Sequence, residues 1–382
     1  MVTAEYPDEA SGGIGYHVYY LSRALAQRGH EVHLVTSVRR PPAMDPPSGV
    51  ETHFVPFFQG LLVRNVLWTG AARLAVRKLA AAGAPDIVHA HAPMCSAYPL
   101  VHDPAIPLAT TFHSLFLSFR RIPEKNIGRI LQSRVGEIVD RTSLVRSDVV
   151  IACNHSVKDE IAGSGFPLER VVVVPNGVAL EEFGAEVPAE EISAVRRRYH
   201  FPDRTRIILS VGELVARKGV NVLIDAMRVL DRSHPDTFGL VIVGDGADRG
   251  QLEAAARDLE GTVVFAGRVP LAELRALYHA ADLFAMPSYY EGLPTVVLEA
   301  LASRLPVVGA DIPAMQGLLD RCGLLVERSP EAFADGIARL LEDPARVNRM
   351  RAAAREAVAP FGWSRLAEAT ERAYEAAIAR AR

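Results

Sequence analysis

The chain has little of what announces many protein classes. Its 382 residues contain three cysteines, Cys95, Cys153 and Cys322. They are too few and too far apart for a disulfide scaffold or a zinc ribbon, and a reducing compartment is the expectation. No apolar run reaches the roughly 18 residues that span a bilayer. The opening residues, Met1 to Pro7, carry neither a basic nor an apolar stretch of the secretory kind, so a cytoplasmic protein is expected. Charge of one sign is also missing. Lys and Arg number 42 against 45 Asp and Glu, a formal net charge of −3, which argues against a dedicated nucleic-acid binder. The sequence has no Asp-x-Asp motif, no internal repeat and no low-complexity tract beyond its Ala/Arg richness.

What remains is ordinary globular composition. Hydrophobic residues make 49% and charged residues 23%, which excludes disorder as the main state. The length suits about two domains at roughly 150 residues each. Short β-branched, apolar runs recur at 32–36, 87–91, 149–152, 171–174, 207–211, 240–243 and 283–286. They read as strands buried on both faces, and stretches of helical period separate them, the first from Tyr16 to Gly29. Strand–helix alternation predicts doubly wound parallel α/β domains. Met1 to Ala4 reads as a short edge strand. The run 171–174 stops at the turn Pro175-Asn176-Gly177, a helix-poor acidic stretch follows over 181–191, and a fresh strand begins near Arg206. The boundary is therefore placed at 178, giving domains 1–178 and 179–360. A final helix, with Leu366, Ala369, Tyr374 and Ala377 along one side, is able to pack on either.

Three clusters carry candidate chemistry. Ser11-Gly12-Gly13-Ile14-Gly15 precedes the first helix. It is either a close-approach ligand loop or a plain tight turn, and it is not a full dinucleotide fingerprint. Arg217-Lys218-Gly219 follows a strand and places two cations where a diphosphate would lie, though a solvated basic turn fits equally well. The third cluster is the most telling: Tyr290-Glu291-Gly292-Leu293-Pro294-Thr295-Val296-Val297-Leu298-Glu299-Ala300 follows the run 283–286. Pro294 fits the first turn of a helix. The N–H groups of Thr295 and Val296 would then stand free at its N-terminus. Glu291 precedes that helix and Glu299 lies within it, so two carboxylates flank an anion site and offer acceptors to sugar hydroxyls. His89 and His91 point the same way from one strand. They read as structural or acceptor-side groups, because no third metal ligand is apparent.

The Glu-x7-Glu pair of Glu291 and Glu299 resembles the signature of retaining glycosyltransferases of family 4. The resemblance spans nearly the whole chain: Glu5-Tyr6-Pro7 with Gly12-Gly13-Ile14-Gly15, Arg28 to Val32, Asp86 to His91, Val174 to Val178, Lys218-Gly219 and Val243 to Gly246. It implies a GT-B fold, two Rossmann-like doubly wound domains facing a central cleft, with the nucleotide-sugar donor on the second domain and the acceptor on the first. It also implies that the last helix, 361–382, crosses back to the first domain. By the same resemblance, Glu299 holds the ribose hydroxyls and Glu291 the donor sugar. Gly292, Leu293, Pro294, Thr295 and Val296 offer backbone N–H groups to the distal phosphate and sugar. Lys218, helped by Arg217, neutralises the diphosphate. The segment with Arg268 and Val269 meets the nucleobase, Gly13 and Gly15 bring the first loop to the phosphate, and His113 stands near the donor sugar. His113, Lys218 and Glu291 are the implied catalytic groups. The implied reaction is a retaining hexosyl or N-acetylhexosaminyl transfer, with a UDP-sugar favoured, no cofactor and no essential metal.

Two departures from the family pattern stand out. Glu213 occupies a position where the family usually has Arg against the diphosphate, and 310–315 replaces a Gly-Gly turn. The stretch 113–121 is worded like the branch that glycosylates phosphatidylinositol. Seven basic residues face three acidic ones from Arg120 to Arg146. These suit a phosphorylated or lipid-linked acceptor and peripheral contact at the inner membrane face, while an ordinary amphipathic helix with a solvated basic face is the reading that carries more weight. The alternatives to transfer are a nucleotide-sugar epimerase or hydrolase on the same fold, and a non-catalytic sugar-nucleotide-binding subunit.

Overall fold

The computed structural model describes all residues except 8–12, 38–43, 57–60, 84, 93–96, 117–126, 203–204 and 382, and it gives no side chains at 61–66 and 127–133. The chain divides into two compact units. One comprises Met1–Gly177 with Trp363–Arg382, the other Val178–Gly362. The division falls one residue before the sequence boundary, and the returning helix starts at Trp363 rather than 361.

The first unit contains, in chain order, α1 (Gly13–Gln27), β1 (Val32–Thr36), β2 (Val50–Phe54), α2 (Leu61–Ala82), β3 (Val88–Ala92), β4 (Leu108–Phe112), α3 (Ile127–Arg146), β5 (Val149–Ala152), α4 (His155–Gly163) and β6 (Val171–Val173). β3 to β6 form a parallel sheet in that order, and β1 pairs with β2. Val2 joins the two sheets, bridging Val35 on one side and Ala90 on the other, both in parallel sense. The opening segment is therefore central, not an edge strand as its shortness suggested. It is short because both neighbours cover it, and Val2 is 1% exposed. The helix expected from Tyr16 begins at Gly13, so Gly13 and Gly15 are helical, while Ser11 and Gly12 lie outside the described residues.

The second unit contains α5 (Leu180–Phe183), α6 (Ala189–Arg198), β7 (Arg206–Val211), α7 (Val220–Ser233), β8 (Phe238–Val243), α8 (Arg249–Ala255), β9 (Val263–Gly267), α9 (Leu271–Ala280), β10 (Leu283–Met286), α10 (Thr295–Ala302), β11 (Val307–Ala310), β12 (Gly323–Val326), α11 (Pro330–Leu341) and α12 (Pro344–Val358). The acidic stretch 181–191 is not helix-poor. Four of its five glutamates, Glu181, Glu182, Glu190 and Glu191, sit in the first turns of α5 and α6, where negative charge complements the helix dipole. The sheet is parallel with order β12-β11-β10-β7-β8-β9. Numbered from β7, this is the doubly wound dinucleotide order, and strand succession reverses between β7 and β10. Ligands of such sheets bind outside the strand C-termini at that reversal. Ile208, Leu209, Val241, Phe284, Val307 and Val308 fill the core with no exposed surface.

The last helix, α13 (Trp363–Ala381), belongs to the first unit. Leu366, Ala373 and Ala377 pack on Ala109, Val149 and Ile151, and Ala367 packs on Leu21, Leu25 and Val32. Among the described residues no helix is long and apolar enough to cross a membrane.

Candidate active site

In the second unit, the loops after β7 and β10 meet at the strand reversal. A short 3-10 turn, Ala216–Lys218, follows β7 and is closed by Gly219 in the left-handed conformation, φ 65°. A Cβ at Gly219 would stand 2.4 Å from the Pro287 carbonyl oxygen of the other loop, so only glycine lets the loops approach this closely. The Tyr289 N–H donates to the Arg217 carbonyl at 2.8 Å and locks them together.

This juncture gathers the predicted cations onto Glu291. Lys218 Nζ lies 2.5 Å from Glu291 Oε1, and Arg217 Nη1 lies 3.7 Å from Glu291 Oε2. Glu291 is buried. Burial pushes its carboxyl up, but Lys218 and Arg217 outweigh that and hold it below its ordinary value. Burial lowers the Lys218 ammonium, and Glu291 offsets only part of the shift. Two cations thus share one buried carboxylate, an arrangement able to accept further negative charge. Glu213 also acts here: its carboxylate lies 3.5 Å from Arg217 Nη2, so the residue that departs from the family pattern takes part of Arg217's charge.

α10 begins immediately beyond. Pro294 occupies the N-cap rather than the first turn. The N–H groups of Thr295 and Val296 take no acceptor among the described residues, so they point outward with the positive helix end. Gly292 and Leu293 connect this end to Glu291. Glu299 follows one turn on, and burial raises its carboxyl to about 7. Tyr278 of α9 donates to Glu299 Oε2 at 2.9 Å. No spacing in the sequence points to Tyr278. Arg268 and Val269 lie just past β9, at the same C-terminal edge of the sheet, with Arg268 exposed.

The other predicted residues belong to the first unit. Gly13 and Gly15 open α1. His113 follows β4 and is buried with His17, His91 and Asn176. Its Nε2 lies 3.3 Å from His91 Nδ1, and its Nδ1 lies 3.1 Å from Asn176 Oδ1. Burial lowers His113 to about 4, so the ring is neutral at physiological pH. The sequence showed no third partner for His89 and His91. The fold supplies His17 and His113, and ring nitrogens of His17, His91 and His113 lie within 4.8 Å of one another. His89 is engaged at both nitrogens, by Tyr374 and Thr111 at 2.8 and 2.7 Å, which makes it a structural link to α13. Asn176 carries a legible signal, the Pro-Asn-Gly turn; His17 carries none. The basic stretch from Arg120 lies largely outside the described residues, as does Cys95, while Cys153 and Cys322 are buried thiols in no disulfide among the described residues.

Comparison with known proteins agrees across the chain. Residues 11–182 match the family described as Glycosyltransferase Family 4, and residues 191–357 match that described as Glycosyl transferases group 1. A D-inositol 3-phosphate glycosyltransferase from Xylanimonas cellulosilytica is 32% identical, over 97% of this chain and 93% of that protein. A glycogen synthase from Mycobacterium tuberculosis is 33% identical, over 99% and 94%. The solved sucrose-phosphate synthase of Thermosynechococcus elongatus superposes with a TM-score of 0.78 at 23% identity, covering 98% and 97%, which shows the shared GT-B fold. Both halves of the sequence and the paired parallel sheets lead to one assignment: the chain belongs to glycosyltransferase family 4 and is a hexosyltransferase.

Proposed function

We propose that the enzyme moves a hexose or N-acetylhexosamine from a nucleoside-diphosphate sugar, with UDP favoured, to an acceptor hydroxyl with retention and without an essential metal. One observation carries this reading: Lys218 and Arg217 converge on Glu291 beside the free N-terminus of α10. Cleavage of the sugar–phosphate bond puts negative charge on the diphosphate. Lys218, Arg217 and the helix end stabilise that charge, and Glu291 holds them in place until the donor arrives. Glu291 and Glu299 accept hydrogen bonds from the donor sugar and ribose, and the backbone beside Arg268 and Val269 meets the base. His113, neutral, serves the donor sugar from the first unit, and Gly13 and Gly15 let α1 approach the phosphate. The acceptor oxygen bonds to the anomeric carbon on the face the phosphate leaves, and the departing phosphate oxygen takes the acceptor's proton. No protein nucleophile is needed. The names of the inositol-phosphate relatives support a phosphorylated acceptor.

The test is a thermal-shift panel with UDP, GDP, ADP and their sugar conjugates. A ligand at about 100 times its Kd stabilises by roughly 2.7 kcal/mol. The expected result is stabilisation by the uridine set. Stabilisation by another set reassigns the base, and no shift with any of them removes the donor site from Lys218 and Glu291.

A further inference from the structure

A second site lies in the same unit, away from Lys218. A cavity of about 620 Å³ opens where α9 and α10 end against α12, lined by Tyr278, His279, Arg304, Arg351 and Arg355 among others. This is the volume of a small-molecule site, within the usual range of roughly 300–1,000 Å³. It sits at the N-terminal approach to β10, whereas Glu291 follows that strand's C-terminal end.

The charge here is unbalanced. Among the described residues no carboxylate pairs with Arg304, Arg351 or Arg355, and the nearby Glu356 is turned to Arg321 at 3.1 Å. Burial lowers the His279 imidazole, its hydrogen bond to the Phe183 carbonyl offsets part of this, and Arg275 and Arg304 lower it further. The arginines are not needed to cap the two helix ends. The Glu299, Ala300 and Leu301 carbonyls already accept from Ser303, Leu305 and Arg304 N–H groups, and Arg196 reaches the Ala280 carbonyl. Two helix C-termini contribute about −0.5 charge each, against three guanidinium groups. Arg304 also holds φ 57°, a left-handed backbone that strains a non-glycine residue. Glycine would be the easier residue there, yet the position carries an arginine that lines the cavity.

We infer that this cavity binds a phosphorylated small molecule at a site separate from the donor's, held by Arg304, Arg351 and Arg355. Guanidinium forks match phosphate oxygens in pairs, and three arginines line a pocket whose volume suits a sugar phosphate or a nucleotide. Tyr278 walls the pocket and also donates to Glu299, so an occupant lies one side chain from that carboxylate.

Calorimetric titration of the full chain with tripolyphosphate tests this, with Lys218→Ala to silence the proposed donor grip. Arg304→Gly removes a cation while relieving the left-handed strain, so its fold is not at risk. Arg351→Gln/Arg355→Gln removes the other two. We expect Lys218→Ala to keep a tripolyphosphate site and each arginine variant, in that background, to weaken it at least tenfold with no fall in Tm. Arginine variants that titrate like their Lys218→Ala parent overturn the proposal, as does a parent that takes up no tripolyphosphate. Retained binding in Lys218→Ala together with failure of the nucleotide panel leaves this pocket standing and removes only the donor reading.

Discussion

Glu299, the proposed ribose acceptor, is a residue whose titration burial tunes. Its carboxyl moves from an ordinary 4.5 up to about 7, so the folded chain holds that proton more tightly than the unfolded chain. Its contribution to stability is full below about 4.5 and falls as pH rises through about 7. Ribose hydroxyls prefer the ionised carboxylate, so affinity for the donor sugar conjugate rises with pH across the same range. Glu299→Gln is expected to flatten that dependence and to weaken donor binding by about 1–3 kcal/mol, the scale of hydroxyls left without a good acceptor; calorimetry from pH 6 to 8 measures both. In the proposed donor site Lys218 serves charge rather than recognition. Lys218→Ala is expected to cut turnover at least about tenfold and to lower Tm, because Glu291 stays buried with only the more distant Arg217. Steady-state kinetics and a melting curve read the two effects separately.

At the scale of elements, Gly219 is the tightest joint. Gly219→Ala brings both a left-handed alanine and a Cβ at 2.4 Å from a backbone oxygen. Gly261 has φ 86° and nothing within 4 Å of an added Cβ. Gly261→Ala is therefore expected to cost only the backbone term, roughly 1–2 kcal/mol, and Gly219→Ala clearly more, with loss of donor binding; urea midpoints rank the two. Apolar runs made seven of the twelve described strands legible beforehand. In the second unit β7, β8 and β10, with Lys218 after the first and Glu291 after the last, follow from apolar runs and what succeeds them, whereas β9, β11 and β12 were not named from the sequence. β2 was not legible, because Val50–Phe54 is partly exposed along its length and lacks a continuous apolar run. The central place of Val2 was not legible either, since it depends on partners 33 and 88 positions away. Tyr278 and His17 join the candidate site residues by tertiary placement alone, with no local pattern to mark them.

At the scale of the whole molecule, the division into units and the order of the chain disagree. α13 is last in sequence yet fills the first unit's core, ties His89 through Tyr374, and pairs Glu371 with Arg28 at 2.6 Å. A chain ended after Gly362 is expected to keep the second unit intact and lose the first. Hydrogen exchange should show protection retained over 206–358 and lost over β3 to β6; uniform protection would show that α13 is dispensable. The same arrangement sets a timetable on the ribosome. Residues 178–382 must all be synthesised after the first unit's last strand, about 10–40 s at bacterial-type rates of roughly 5–20 residues per second. Throughout that interval the nascent first half presents Ala109, Val149, Ile151, Leu21 and Leu25 without their cover. The second unit, continuous in sequence, matures while its elder neighbour waits, and the earliest-made half of this enzyme is the last to be finished.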